Sequence, residues 1–422
     1  MKPFDKKGFF LPIFYIILPD NPNLGKRMNY ILFDDNRREY LLPLTYFRPV
    51  ADIRFGILTI RQKWENYLLS KTSTLTEDYL SKKFPLVRGK ESLLINGGIC
   101  PNKELLNAIN KLESNQTLAK GETIIAMRLT FDDLDKPFVM DELSQTEVQC
   151  EIPYTEIYYP WDIFHQNDVA LKADFELLTK GKQSQPLSKT NTVIGNGNLF
   201  IEKGAVIEGA TLNASAGPIY IGKSAEIMEG CLVRGPFAML EHSTLKMGAK
   251  IYGATTIGPY SKIGGEVNNS VFFGYSNKAH DGFIGNSVIA EWCNFGAGTN
   301  NSNLKNTYDN IKLWCYPERT FIDTGLQFCG LIMGDHSKCG INTMFNTGTV
   351  VGVSCNIFGA GFPRNFIPSF SWGGTSGFST YNLKKALNVA SEVYQRRNVN
   401  LDDIDKEIFS IIFDHTLQFR QE

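Results

Sequence analysis

The sequence offers little to a nucleic acid, a metal ion or a bilayer. Its 43 lysines and arginines are matched by 44 aspartates and glutamates, so it lacks the basic excess from which counterion release draws nucleic-acid or anionic-membrane affinity. Eight cysteines include no CxxC pair, and the five histidines join them in no cluster at metal-ligand spacing. Cys100, Cys150, Cys231, Cys293, Cys315, Cys329, Cys339 and Cys355 are therefore expected as reduced, buried thiols that fill small apolar spaces. The apolar run GFFLPIFYIIL at Gly8–Leu18 follows a basic start, but it is too short to span a bilayer and has no A-x-A cleavage site behind it. Residues 1–27 read as an extension or an upstream start ahead of Met28, where MNYILFDD opens like a first buried strand. The expectation is a soluble, cytoplasmic protein that works on small molecules, with neither nucleic acid nor membrane as partner.

What the sequence does have is a period. Aliphatic residues recur every six positions at Ile221, Ile227, Val233, Met239, Leu245, Ile251, Ile257 and Ile263, after an earlier pair at Ile201 and Ile207. Six fits neither the 3.6-residue helix nor a hairpin meander. It fits a three-sided solenoid in which each six-residue piece makes one short strand and one corner, with the aliphatic side chain turned inward. The pattern resumes at Met333, Cys339, Phe345, Val351 and Ile357, with Ile322 and Phe328 placed before it. Between Ile263 and Ile322 an Asn-, Gly- and aromatic-rich stretch reads as a loop thrown out of the solenoid for binding.

A chain of 422 residues exceeds one comfortable core. Residues 28–184 alternate apolar runs (Tyr30–Phe33, Ser92–Ile95, Thr123–Leu129) with amphipathic pieces (Ile57–Leu69, Lys103–Leu112), the mark of an α/β domain. Thr179–Lys189 is polar and reads as its linker, and residues 185–373 form the solenoid. In residues 374–422, Leu383, Leu387, Ala390 and Tyr394 share a helical face, and Ile404, Ile408, Ile411 and Phe419 suggest a second helix. Both are expected to cap the solenoid, whose open end would otherwise be an unpaired edge.

His280 is the histidine of the interrupting stretch. Acyl transfer to an amine or hydroxyl needs a base that works near neutral pH, and imidazole suits that task. His165, His242, His336 and His415 have no comparable setting. A lone histidine is equally compatible with a structural role, and the asparagines around it (Asn294, Asn300, Asn301, Asn303) can stack as amide ladders at turns as well as bind.

The segment KAHDGFIGNSVIAEWCNFGAGTNNSN resembles the acetyltransferase half of the bifunctional bacterial enzymes that make UDP-N-acetylglucosamine, glucosamine-1-phosphate N-acetyltransferase joined to N-acetylglucosamine-1-phosphate uridylyltransferase. The resemblance implies a left-handed parallel β-helix of hexapeptide repeats that assembles as a homotrimer with sites between subunits. It implies His280 as general base, Asn294 and Asn303 on the sugar, and Ala297 and Gly298 beside acetyl-CoA. Phe283 falls on a family tyrosine that contacts the substrate phosphate. The family's lysine and arginine ahead of the histidine are replaced by Gly264-Gly265-Glu266-Val267-Asn268-Asn269, so Lys278, Lys305 and Lys312 become candidates for the missing charge.

LLPLTYFRPVADI at Leu41–Ile53 resembles the PLT-x-x-RP segment of the sugar-1-phosphate nucleotidyltransferases that precede this β-helix in the same enzymes. There a glycine-rich loop cradles the nucleotide phosphates. Here Asp34-Asp35-Asn36-Arg37-Arg38-Glu39 holds no glycine, Val50 stands for a lysine, and Leu94-Ile95-Asn96-Gly97-Gly98 lacks the aspartate of the family's Mg²⁺ site. If the domain still acts, Arg37, Arg38, Thr45 and Arg48 would hold nucleotide, with Mg²⁺ on Asp34 or Asp35. Three functions follow as expectations. The first is an acetyl-CoA-dependent acetyltransferase on an amino-sugar phosphate, with a diverged nucleotidyltransferase in front. The second is a nucleotidyltransferase alone, uridylyl- or thymidylyl-, with the β-helix as trimerising scaffold. The third is a non-enzymatic trimeric sugar-binding protein.

Overall fold

The computed structural model describes residues 28–130, 146–195 and 198–420, so the apolar run Gly8–Leu18 lies outside the described residues. They fall into two compact units, one of residues 28–35 and 61–156, the other of 36–60 and 157–420.

The first unit is built on a six-stranded mixed sheet. Its strands are β1 (Asn29–Phe33), β2 (Ser73–Leu75), β3 (Glu91–Asn96), β4 (Gln116–Lys120), β5 (Thr123–Thr130) and β6 (Thr146–Gln149), in the order β2-β1-β3-β5-β4-β6. Alternation explains the core: Ile31 and Phe33 point to one face, where they meet Leu94, Met127 and Leu129. β1 runs parallel to both β2 and β3. From β1 the chain goes first to one neighbour and then to the other, which sets the topological switch point of the sheet at the carboxyl ends of β1 and β3. The predicted amphipathic pieces are helices Ile60–Leu68 and Lys103–Asn110. The second starts where the Asn102 side chain accepts from Leu105 N at 2.7 Å.

The second unit is a three-sided parallel solenoid. Among the described residues its faces carry six, nine and ten strands, the tenth antiparallel. One inward column runs Ile221, Met239, Ile257, Phe272, Ile289, Met333, Val351, Ile367, each residue opposite the next across parallel strands. Another runs Leu212, Val233, Ile251, Val267, Ile284. All eight sixfold positions from Ile221 to Ile263 are buried in one continuous core. All eight cysteines are free and buried, as expected of apolar fillers.

The interruption lies elsewhere than the pattern suggested. The coils run on through Val267, Phe272, Lys278, Ile284, Ile289, Phe295 and Asn301, and the chain leaves the solenoid only after Asn301. Val267 follows Ile263 by four residues and Phe272 follows Val267 by five, and two inward positions are polar, so a sixfold search loses the register. Ile322 and Phe328 are not inward repeats. Ile322 sits in an antiparallel hairpin, Lys312–Cys315 with Thr320–Asp323, and Phe328 is exposed. That hairpin folds back on the later coils, where Trp314 stacks on Phe366 at 4.1 Å.

Two segments expected with the α/β domain belong to the solenoid unit. Helix Asn167–Thr179 lays Leu171 against Phe200, Tyr220, Ala238 and Ala254, together with Ile57. Polar bonds fix it: Asn167 Nδ2 donates to Ala254 O at 2.8 Å, Gly56 N donates to Asn167 Oδ1 at 2.9 Å, and Asp174 Oδ2 accepts from the amides of Ile57 and Leu58. At the other end, helices Leu383–Gln395 and Asp403–His415 lie against the side of the last coils. Tyr394 stacks on Trp292 at 4.2 Å, while Phe409 packs on His336 and Phe413 on Phe370. The final strand edge, Ser371–Gly374, is finished by the antiparallel Gly377–Thr380. Among the described residues no helix is long and apolar enough to cross a membrane.

Candidate active site

One corner of the solenoid gathers most of the residues singled out in the sequence. Strand Asn277–Lys278 on one face turns at Ala279–Gly282 into strand Phe283–Gly285 on the next. His280 is exposed at that turn, and among the described residues no side chain holds its imidazole. In the next coil Asn294–Phe295 turns through Gly296-Ala297-Gly298-Thr299. The two corners are stitched together: Gly298 N donates to Asp281 O at 3.0 Å, and Phe283 N donates to Asn300 Oδ1 at 2.8 Å. The amide of Gly296 is spent on Cys339 O. That of Ala297, between them, has no protein acceptor among the described residues. An exposed imidazole beside a half-buried, unsatisfied backbone N–H is an arrangement that can move a proton and steady an oxyanion.

Asn294 lies on the flank of this corner, where its Oδ1 accepts from Asn277 Nδ2 at 2.8 Å. Asn303 is further off, beyond the far end of the Phe283 strand, with Nδ2 donating to Asn286 Oδ1 at 2.7 Å. Asn301 is a buried ladder amide, bonded to both N and O of Gly285. Asn300 pairs along the stack through its Oδ1, which accepts from Phe283 N, while its Nδ2 donates to Gly298 O of its own coil.

Lys278 does not offer a surface charge to a phosphate. It is 2% exposed and points into the solenoid, where Nζ donates to Gly264 O at 2.8 Å and His280 O at 2.9 Å. Burial pulls its pKa down to about 8, against the pull of Asp281. Lys305 and Lys312 are on the extruded segment, Lys305 bonded to Asn310 O.

The four residues proposed for nucleotide phosphates are internal as well. Arg38 donates to the carbonyls of Arg48 and Thr45, and Thr45 Oγ1 donates back to Arg38 O at 2.8 Å. Arg48 forms a buried ion pair with Asp335, and Arg37 lies under the Tyr158 ring. Structural partners take up the donors of Arg38, Thr45 and Arg48, and the segment 36–60 packs with the solenoid unit. At the carboxyl ends of β1 and β3, Asn96 Nδ2 donates to Asp35 Oδ2 at 2.7 Å, and Asp34 Oδ2 accepts from Thr76. Asn96 thus stands where the resemblance calls for an aspartate, and the carboxylates at this end of the sheet that could hold Mg²⁺ together with substrate phosphates are Asp34 and Asp35.

A family model described as sugar nucleotidyl transferase matches residues 30–183. The bifunctional protein GlmU of Methanocaldococcus jannaschii is 26% identical over 331 residues, which cover 77% of this chain and 68% of the relative. The chain is similar in sequence to the bifunctional GlmU proteins, at 26% identity to each of two archaeal relatives. A bifunctional sugar-1-phosphate nucleotidylyltransferase/acetyltransferase of Sulfurisphaera tokodaii is 30% identical over 144 residues, 34% of this chain and 35% of the relative. The N-acyltransferase AntD of Bacillus cereus, solved with dTDP and 3-hydroxybutyryl-CoA, covers 49% of this chain at 14% identity. Its TM-score of 0.22, over 91% of the AntD chain, adds nothing to the repeat architecture already described.

Proposed function

We propose that the chain is a transferase of sugar-nucleotide metabolism whose solenoid transfers an acetyl group from acetyl-CoA to the amine of an amino-sugar phosphate. One observation carries the reading: exposed His280 stands one coil from the unpaired Ala297 N–H, with Gly298 N bonded to Asp281 O between them. His280 would take the proton of the acceptor amine as its nitrogen attacks the thioester carbonyl. The Ala297 N–H would steady the oxygen while the C–N bond forms, and CoA would then leave as the thiol once its sulfur is protonated. The names of the two relatives support the class of reaction.

The same reading includes a homotrimer. Along the corner that carries His280 and Ala297, Met247 and Ile341 are each 72% exposed and Phe358 is 44% exposed. An apolar line of this kind beside a site supports burial against a neighbouring protomer.

The test is release of free CoA thiol from acetyl-CoA in the presence of amino-sugar phosphates, for the intact protein and His280→Ala. Acceptor-dependent release that the substitution abolishes supports the proposal; release unchanged by it sinks it. The match of residues 30–183 to the sugar nucleotidyl transferases favours a second reading, transfer of a nucleotidyl group to a sugar-1-phosphate. Pyrophosphate release from UTP or dTTP with sugar-1-phosphates, unaffected by His280→Ala, would establish that activity as separate.

A further inference from the structure

Lys278 occupies a place in the solenoid where the other coils put an apolar side chain. Leu245 and Ile263 precede it in its inward column, and Phe295, Cys339 and Ile357 continue the column. Among the described residues no carboxylate lies within ion-pair distance of its ammonium. A charge in such surroundings works against folding, so the fold by itself gives no reason for a lysine here.

The local geometry supplies one. The coil before Lys278 is short, because Val267 follows Ile263 by four residues, and its corner is only Gly264-Gly265. The next corner, Ala279–Gly282, hangs close over this tight turn. A Cβ on Gly264 would come 2.5 Å from Ala279 O, and one on Gly265, at φ +69°, would come 2.8 Å from Asp281 Cα and 2.9 Å from Lys278 Nζ. Glycine pair, overhanging loop and ammonium are in mutual contact.

We propose that Lys278 is a positioning residue for His280: its interior ammonium ties the carbonyl of His280 to the carbonyl of Gly264 in the coil beneath, and so fixes how the imidazole leaves the corner. This rests on the reading of His280 as the base. The titratable groups that face the ammonium are Asp281 on the same corner and Cys339 two coils on. With burial holding the lysine near 8, the charged clamp is present at neutral pH and lost as pH rises through about 8.

The experiment uses the full chain with Lys278→Met and, as a neutral donor of similar reach, Lys278→Gln. Hydrogen–deuterium exchange of the Glu266 and Gly298 amides, which donate to the corner carbonyls Gly282 O and Asp281 O, should quicken by roughly tenfold or more in both variants, with the coils from Ile221 to Leu245 unchanged. Acetyl transfer at pH 7 should fall roughly 10- to 100-fold in kcat, with KM for acetyl-CoA within about twofold. The alkaline decline of the wild type near pH 8 should be missing from the variants. Unchanged exchange at the corner overturns the proposal whatever the activity, as does faster exchange with kcat and pH profile intact. Faster exchange in a protein that shows no acetyl transfer supports the clamp and overturns the acetyltransferase reading instead. Should Lys278→Met fail to fold, the Gln variant decides by the same measurements.

Discussion

Arg48 and Asp335, separated by 287 positions in the chain, meet in a two-pronged ion pair inside the solenoid unit. Arg48 Nη1 donates to Asp335 Oδ2 at 3.0 Å, Nη2 binds Oδ1, and Glu291 stands 3.3 Å from the same nitrogen. Burial disfavours both charges. For Arg48 the carboxylates of Asp335 and Glu291 outweigh that penalty and hold it protonated, while Asp335 is pushed up by burial in spite of Arg48. The arginine of the PLT-x-x-RP segment is thereby a fastener between distant parts of one unit.

Removing one member of the pair should cost about 3–5 kcal/mol, because the other is left charged and dry. Urea unfolding of Arg48→Met and of Asp335→Asn should show losses of this order, and Arg48→Met/Asp335→Leu should recover most of the loss. Single variants as stable as the wild type would show that the pair does not fasten the unit.

His280 is exposed and bonded to no side chain among the described residues, so His280→Ala should leave the melting temperature within about 1 °C. If it is the base, kcat for acetyl transfer should drop roughly 10²- to 10⁴-fold. A variant that loses activity only in proportion to lost folded protein would remove the catalytic role.

Lys278 predicts a pH effect with a definite sign. Its folded pKa, about 8, lies below the ordinary lysine value of 10.5, so the unfolded chain binds more protons between the two. The burial penalty is complete below pH 8, at most about 3 kcal/mol by the size of the shift, and is relieved as pH climbs toward 10.5. Lys278→Met, which never carries the penalty, should be at least as stable as the wild type at pH 7 and should lose that relative advantage by pH 10. A difference between the two urea midpoints that is flat from pH 7 to pH 10 would contradict the assignment.

Ile257 and Ile322 separate true repeat positions from apparent ones. Ile257 is wholly buried between Met239 and Phe272, so Ile257→Ala should cost about 2–5 kcal/mol. Ile322 sits on the hairpin outside the column, only part-buried, and Ile322→Ala should cost less than about 1.5 kcal/mol. Equal losses in thermal or urea unfolding would mean that the column does not dominate the stability of the solenoid.

From Ile221 to Ile263 the solenoid could be read from residue types alone, since a constant coil length repeats the inward position without error. From Gly264 to Asn301 it could not. There the steps shorten, and Lys278 and Asn301 take inward places that their chemistry argues against. A constant step of six therefore places the extruded segment too early and makes Ile322 and Phe328 look like repeats. His280, Phe283, Asn294, Ala297 and Gly298 could be picked out because two neighbouring corners lie close in sequence. The inward lysine shows only in the column of paired strands, Ile263 to Lys278, where the step from the preceding inward position is no longer six.

By itself the sequence determined the repeat, the α/β sheet ahead of it and the corner that carries His280, because each depends on spacings of a few residues that local geometry turns directly into position. Only the tertiary structure decided the partners of Arg48 and Lys278. Both charges are buried, and what a buried charge does depends on which distant carbonyl or carboxylate the folded chain brings to it.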